Sequence, residues 1–205
     1  MDHYYTNNLD VKSNEKTIIV KIGKETLKFK TDHGVFSKDK LDFGTRTLLE
    51  NLNLEKINGD VLDLGCGYGP IGIYLSKAKK INVDMIDINE RSLELAKKNV
   101  DLNKTKASVF YSDKYENISK KYDFIVTNPP IRIGKKDLFE ILINAKNYLK
   151  PNGELWFVIN KDQGAKSTIK EMEKHYKIEI IGKNKGFYVL IAKSHWLVYK
   201  SLLKL

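Results

Sequence analysis

Val61-Leu62-Asp63-Leu64-Gly65-Cys66-Gly67-Tyr68-Gly69-Pro70-Ile71-Gly72 reads as a short apolar strand, a glycine loop and the start of an apolar helix. Glycine at every second position lets a backbone turn tightly and lets a ligand approach where a Cβ would collide. Residues 67 to 72 also match Gly-x-Gly-x-x-Gly, the dinucleotide fingerprint, which is weak evidence by itself. Working outward, stretches near 60 to 64, 81 to 87, 107 to 112 and 123 to 127 are strand-like and alternate with helical stretches. That alternation forces parallel pairing with helices on both faces. Glu154 to Ile159 supplies a fifth strand, and Ile178 to Ile181 with Phe187 to Ala192 a closing pair joined through Gly182-Lys183-Asn184-Lys185-Gly186. The expectation is an α/β fold with a doubly wound, mostly parallel seven-stranded sheet.

Flanking signals fill in the rest. Ile18, Val20 and Ile22 alternate before Gly23-Lys24, which predicts a small N-terminal β-hairpin in residues 17 to 30. A loop from Phe36 to Thr45 comes next, then a helix marked by Leu48, Leu49 and Leu52. Asn89 is placed to cap the helix carrying Leu93, Ala96 and Val100, and Asp137 the one carrying Leu138, Ile141, Ala145 and Tyr148. Pro151-Asn152-Gly153 is read as the end of that second helix. The chain is taken as one domain over 1–205, with an extension and lid in 1–45, a core in 46–193 and a tail in 194–205.

Two acids bear on the ligand. Asp63 stands two residues before the first loop glycine, where a carboxylate repels a pyrophosphate but suits a cationic amino group. S-adenosylmethionine carries such an amino group and no phosphate. Ile81-Asn82-Val83-Asp84-Met85-Ile86-Asp87 reads as the second strand, and an acid at its end is placed to accept ribose hydroxyls.

A third stretch, Asn128-Pro129-Pro130-Ile131, comes directly after the apolar run Tyr122 to Thr127. Proline has no N–H and a fixed φ, so two prolines stop a strand and stiffen the segment beyond it. An amine conjugated to a ring is a poor nucleophile because its lone pair is delocalised. Two fixed acceptors, Asn128 Oδ1 and the Pro129 carbonyl, would push such a nitrogen toward a reactive tetrahedral geometry. The bland alternative is a strand-to-loop turn, for which Asn-Pro is a common signal.

With these stretches in order, the chain resembles the class I S-adenosylmethionine-dependent methyltransferases. Asp63, Gly65, Gly67 and Gly69 match that family's first motif, Asp87 its ribose-binding acid, and Asn128 to Ile131 the Asn-Pro-Pro-aromatic motif of its amine-methylating members. The resemblance implies that Asp113, after the strand Ala107 to Tyr111, meets the adenine amino group, that Cys66 belongs to the cofactor loop, and that the sheet is of the Rossmann-like methyltransferase type.

It extends toward the small-subunit ribosomal RNA guanine-N2 methyltransferases and their single-domain relatives. The residues carrying it are His3-Tyr4-Tyr5, Gly34-Val35-Phe36-Ser37, Leu41-Asp42-Phe43-Gly44-Thr45, Asn128 to Lys135 and Gln163-Gly164-Ala165. It implies that Asp42 and Thr45 close over the cofactor's methionine end, and that Ile131, Arg132, Phe36 and Lys135 meet the substrate. One departure stands out: Ile131 occupies the position where many amine methyltransferases place an aromatic, leaving Phe36 or Tyr68 to stack on the target base.

Composition sets bounds. At 205 residues with 41% apolar content, the chain is long enough for a sizeable core. It contains no run of 18 apolar residues, and Met1-Asp2-His3-Tyr4 lacks a signal pattern, so a cytoplasmic protein without membrane contact is expected. The single Cys66 excludes an internal disulfide, and histidines at 3, 33, 175 and 195 show no metal spacing, so no metal is expected. A net charge of +10 suits a polyanionic partner, and the resemblance implies that this partner is ribosomal RNA or a ribosomal particle. Only Arg46, Arg91 and Arg132 of the 36 basic residues are arginine, a lysine bias that also fits an A/T-rich genome. Residues 146 to 205 hold 12 lysines against 5 acids, so the positive excess concentrates toward the end of the sequence.

Each site residue has a plainer reading. Arg132, Lys135 and Lys136 also fit solvated surface charge, Asp42 a helix cap, Phe36 and Tyr68 core packing, and Cys66 a small spacer. The tail, with Trp196, Leu197, Tyr199, Leu202 and Leu203, fits a packed terminal helix, a dimer contact or a disordered extension, leaving monomer or homodimer open. Rival functions are methylation of a protein glutamine or of adenine N6, a non-catalytic RNA-binding module, and a nicotinamide-dependent oxidoreductase.

Overall fold

The computed structural model describes residues 13–33, 35, 37, 39–130 and 133–194. The N-terminal hairpin is present: β1 (Lys16–Ile22) pairs antiparallel with β2 (Glu25–Thr31), the register running from Ile22↔Glu25 to Lys16↔Thr31. It forms its own two-stranded sheet. Its alternation is half-sided: Val20, Ile22, Leu27 and Phe29 are buried, while Ile19 points to solvent. The strand edge facing the core is closed by two asparagines. Asn99 Oδ1 accepts from Lys30 N at 2.7 Å and its Nδ2 donates to Lys30 O, while Asn103 Oδ1 accepts from Lys28 N at 3.0 Å and its Nδ2 donates to Lys28 O. Four residues apart on one helix face, they act as a substitute strand for β2.

The core begins with α1 (Phe43–Asn51), then β3 (Val61–Leu64), α2 (Pro70–Lys79), β4 (Val83–Asp87), α3 (Glu90–Leu102), β5 (Ala107–Tyr111), β6 (Tyr122–Thr127), α4 (Lys135–Tyr148), β7 (Leu149–Asn160), α5 (Ala165–Met172), β8 (Tyr176–Asn184) and β9 (Phe187–Ser194). The strands form one sheet in the order β5-β4-β3-β6-β7-β9-β8. Pairs β3/β4, β3/β6, β4/β5 and β6/β7 are parallel, and β9 runs antiparallel to both β7 and β8. The expected doubly wound, mostly parallel seven-stranded sheet is thus found. Strand order reverses on either side of β3, and the crevice beyond its carboxyl end is where ligands bind in such sheets.

Every residue of β3 is buried, as a parallel strand covered on both faces requires. One face packs the hairpin and the apolar residues of α1, α2 and α3 around Leu48, Ile73 and Ala96. The opposite face packs α4 and α5 around Leu142, Phe157 and Met172. Asn89 caps α3 as expected, accepting from Ser92 N at 3.0 Å.

Three boundary expectations are corrected. Asp137 does not cap α4: Gly134 does, at φ 94, and Asp137 lies in the first turn paired with Lys114 at 3.2 Å. That helix ends at Tyr148, before Pro151, because Leu149 already extends to pair with Tyr122. The ladder is then interrupted between Tyr122 and Phe124, so Pro151-Asn152-Gly153 is an irregularity within β7 rather than a helix stop. The closing turn is also tighter than the Gly182 to Gly186 linker. Asn184 pairs directly with Phe187, leaving Lys185 and Gly186 at φ 43 and 86, and positive φ at both central residues defines a type I′ hairpin.

Candidate functional site

A cavity of about 590 Å³ opens at the carboxyl ends of β3, β4, β5 and β6, within the range of small-molecule sites. Its wall includes Gly65, Cys66, Gly67, Asp87, Ile88, Ser112, Asp113, Asn128, Pro129 and Pro130, and from elsewhere Asp42, Thr45, Gln163 and Phe187. Parallel pairing of four strands brings residues 65, 87, 113 and 128 to one edge.

The glycine loop divides into two kinds of position. At Gly65 (φ 71) and Gly67 (φ 55) an added Cβ would meet nothing within 4 Å, so these two leave open room above the loop. At Gly69 and Gly72 a Cβ would strike Met85, at 2.9 Å from Cε and 2.6 Å from Cγ respectively. The first pair makes a cradle; the second lets α2 close onto β4. The fit to a ligand lying over the loop rests on that open pair.

Asp63 is fully buried behind the loop and does not form part of the cavity wall. Its Oδ2 accepts from Gly72 N at 2.8 Å, and its Oδ1 has no partner. Burial, reinforced by the charge of Asp87, pushes its pKa up to about 7, against the opposing pull of the Gly72 N–H. Asp87 closes β4 and faces the cavity. Its Oδ2 accepts from Gly67 N at 2.8 Å and its Oδ1 from Asn89 N at 2.9 Å. Burial raises its pKa despite those bonds. Cys66 is buried with its thiol pKa pushed well up, again by burial first, which fits a spacer and not a nucleophile.

At the end of β6 the side chain of Asn128 is fixed from one side. Its Nδ2 donates to Asp42 Oδ2 and to Thr45 Oγ1, both at 2.9 Å. The same Asp42 Oδ2 caps α1, accepting from Thr45 N at 2.8 Å. A carboxylate only accepts, so this contact assigns the amide: Nδ2 faces Asp42 and Oδ1 is turned the other way. Asp42 and Thr45 therefore do two things at once, starting a helix and orienting Asn128.

Of the remaining expected residues, Asp113 lines the cavity beside Ser112, whose N–H is held by Asp87 O at 3.1 Å. Lys135 opens α4 and is not in the wall. Tyr68 lines the cavity but is 3% exposed, its ring edge-on to Phe29 at 5.6 Å. Ile131, Arg132 and Phe36, together with His3-Tyr4-Tyr5 and the tail beyond Ser194, lie outside the described residues. Sequence reasoning missed Ile88, Ser92, Ser37 and Phe187 as wall residues. The available signal for Phe187 was an aromatic directly after the turn glycine of the last hairpin.

The methyltransferase small domain family matches residues 26–191. The chain belongs to that family. It is a class I S-adenosylmethionine-dependent methyltransferase, and S-adenosylmethionine is its cofactor. Among similar proteins is the uncharacterized protein YbxB of Bacillus subtilis, 41% identical over 197 residues, covering 94% of this chain and 98% of that protein. Ribosomal RNA small subunit methyltransferase C of Buchnera aphidicola is 42% identical over 132 residues, covering 62% of this chain and 39% of that one. Among solved structures, the T. thermophilus 16S rRNA N2 G1207 methyltransferase, in complex with AdoMet and guanosine, superposes with a TM-score of 0.78 at 27% identity, over 88% of this chain and 51% of that one. The chain thus spans about half or less of the ribosomal RNA methyltransferases it matches. No helix among the described residues is long and apolar enough to cross a membrane.

Proposed function

We propose that the chain methylates an exocyclic ring amine, guanine N2 of ribosomal RNA, and does so in the cytoplasm on RNA or an assembling ribosomal particle. The observation that carries the chemistry is the oriented amide of Asn128, bonded through Nδ2 to Asp42 and Thr45 so that Oδ1 is left for a substrate donor. Support for the acceptor comes from the net charge of +10 and from the ribosomal RNA methyltransferases among the similar proteins.

The bound cofactor supplies an electrophilic methyl group on a sulfonium. The protein's task is to place nitrogen, carbon and sulfur on one axis, which is mainly positional. Gly65 and Gly67 leave room for the cofactor, Asp87 takes the ribose hydroxyls and Asp113 the adenine amine. The buried Asp63 lies behind the loop and acts through it, its Oδ2 accepting from Gly72 N at 2.8 Å. Asn128 Oδ1 and the Pro129 carbonyl accept the two amine hydrogens, localising the lone pair on nitrogen. The fixed φ of Pro129 and the restriction that Pro130 places on the ψ of Pro129 hold that carbonyl. Bound over the glycine loop, the cofactor would supply its methyl group to the amine held by Asn128 and Pro129, and the nitrogen would become cationic. It then loses a proton to solvent, so no strong base is needed.

The test is transfer of labelled methyl from S-adenosylmethionine to unmodified small- and large-subunit particles, naked ribosomal RNA, DNA and a protein extract, followed by nucleoside analysis. N2-methylguanosine in RNA is expected. Label confined to protein glutamine, or to adenine N6, would overturn the acceptor while leaving the cofactor site intact. Asn128→Ala should cut turnover about 100-fold or more with cofactor affinity unchanged; unchanged turnover would remove Asn128 from its role.

A further inference from the structure

We infer that Phe187 is the platform on which the target base stacks, taking the part that the sequence leaves open by placing Ile131 after the two prolines. This rests on the reading that the acceptor is a nucleobase.

The sheet order puts cofactor and acceptor on opposite sides of Asn128. Asp87 and the glycine loop belong to β4 and β3, on one side of β6, while β7 and β9 lie on the other. Phe187 begins β9 and pairs with Asn160, the last residue of β7, so it stands at the same carboxyl edge as Asn128. Two strand spacings, with β7 between, separate β9 from β6, about 10 Å, so beyond the end of β7 a nucleobase fits between Phe187 and Asn128.

The ring is held in place by the start of α1. A Cβ added to Gly44 would lie 2.8 Å from Phe187 Cε1 and 3.1 Å from Cδ1, and also 3.0 Å from Asp42 Oδ2. Phe187 therefore packs on the backbone next to the carboxylate that orients Asn128, 2.9 Å from its Nδ2. Phe43 braces it, with ring centroids 5.6 Å apart at 52°, and Lys185 Nζ sits 5.4 Å from the Phe43 ring. Among the described residues lining the cavity, the aromatics are Tyr68 and Phe187. Tyr68 is buried on the cofactor loop against Phe29, which leaves Phe187 on the acceptor side. Enzymes that modify a base commonly hold it between aromatic or apolar faces, and Pro130 and Ile133 in the same wall supply the apolar counterpart.

The experiment compares wild type with Phe187→Leu, Phe187→Met and Phe187→Tyr. Initial rates are measured on unmodified small-subunit particles and naked ribosomal RNA, S-adenosylhomocysteine affinity by calorimetry, and thermal midpoints by melting. Loss of one stacked base should lower kcat/KM for RNA about 10- to 100-fold in the Leu and Met variants, chiefly through KM. Cofactor affinity should stay within about twofold, and Phe187→Tyr should restore most of the activity. Guanine methylation by a folded Leu or Met variant at the wild-type KM would overturn the platform alone. Wild-type label found only in protein would overturn the nucleobase reading, and the platform with it.

Discussion

Replacing Asp42 by Asn changes one oxygen for one amide and separates the two things this side chain does. Asn is as good a helix N-cap as Asp, so α1 should start where it does now, the Arg46 N to Asp42 O bond at 2.9 Å being backbone in any case. The variant loses the charge on an acceptor that takes Thr45 N at 2.8 Å and Asn128 Nδ2 at 2.9 Å. A hydrogen bond to a charged group contributes about 1.5 to 3 kcal/mol against about 0.5 to 1.5 for a neutral pair. The Asn128 amide thus loses about 1 to 2 kcal/mol of orientation, and an amide facing an amide can flip. Turnover should fall about five- to thirtyfold, while the thermal midpoint falls by about 2 to 8 °C and the protein stays folded at assay temperature. Steady-state transfer of labelled methyl, melting, and S-adenosylmethionine calorimetry check this together. Turnover within twofold of wild type would refute the orienting role. A loss of cofactor affinity matching the loss of turnover would also refute it, and would place Asp42 against the methionine end of the cofactor.

Burial and the glycine loop give two further outcomes. Asp63 is held protonated up to about 7 by burial, whereas an unfolded aspartate ionises near ~3.9. Between those values the native state holds the extra proton, so this group's contribution to stability is full below about pH 4 and falls as pH rises toward 7. The total is on the order of 4 kcal/mol. Urea unfolding of wild type and Asp63→Asn from pH 4 to 8 should show their difference drifting in that direction and flattening above pH 7; a constant difference would contradict it. Gly65→Ala and Gly72→Ala should fail differently. At Gly72 the new Cβ would lie 2.6 Å from Met85 Cγ, an overpacking that costs about 1 to 3 kcal/mol of stability. At Gly65 it would enter open space at φ 71, costing the fold only about 1 to 2 kcal/mol, while S-adenosylmethionine affinity should drop at least tenfold by calorimetry. Equal cofactor affinity in Gly65→Ala and wild type would show that the open space is not where the cofactor lies.

The sheet was legible because its strands are short apolar runs ending at residues with their own signature: Gly65, Asp87, Ser112 and Asn128. Parallel pairing then places those ends side by side without any knowledge of contacts. Helix limits were less legible. Asp137 looks like a cap in the sequence, but Gly134 at φ 94 supplies the turn and Lys114 draws the carboxylate away. Pro151 looks like a helix stop, yet Leu149 already pairs with Tyr122, a tertiary demand that local propensity does not carry. Asn99 and Asn103 read as ordinary polar helix residues, because nothing local announces that an unpaired strand edge will lie against them. Asp63 reads in the sequence as a direct partner of the cofactor's amino group, whereas it lies behind the wall with its Oδ2 on Gly72 N. Phe187 follows the turn glycine as an aromatic, but that signal has no address until the order β6-β7-β9 brings its end of the hairpin to the cavity.

That order also assigns responsibility within the site. The cofactor half is built from the ends of β3, β4 and β5, adjacent strands whose ladders fix Gly65, Asp87 and Asp113 relative to one another. The acceptor half depends on α1. Its first turn carries Asp42 and Thr45 onto Asn128, its Gly44 receives the Phe187 ring, and its last residue, Asn51, packs so closely on Gly182 that a Cβ there would sit 2.2 Å from Oδ1. α1 is therefore clamped to the closing hairpin at both ends while gripping the amide of β6. A displacement of this helix would move the amine grip and the proposed base platform together, leaving the cofactor cradle where it is. Substitutions along α1 should accordingly divide kcat and the RNA KM from cofactor affinity, and substitutions in the glycine loop should do the reverse.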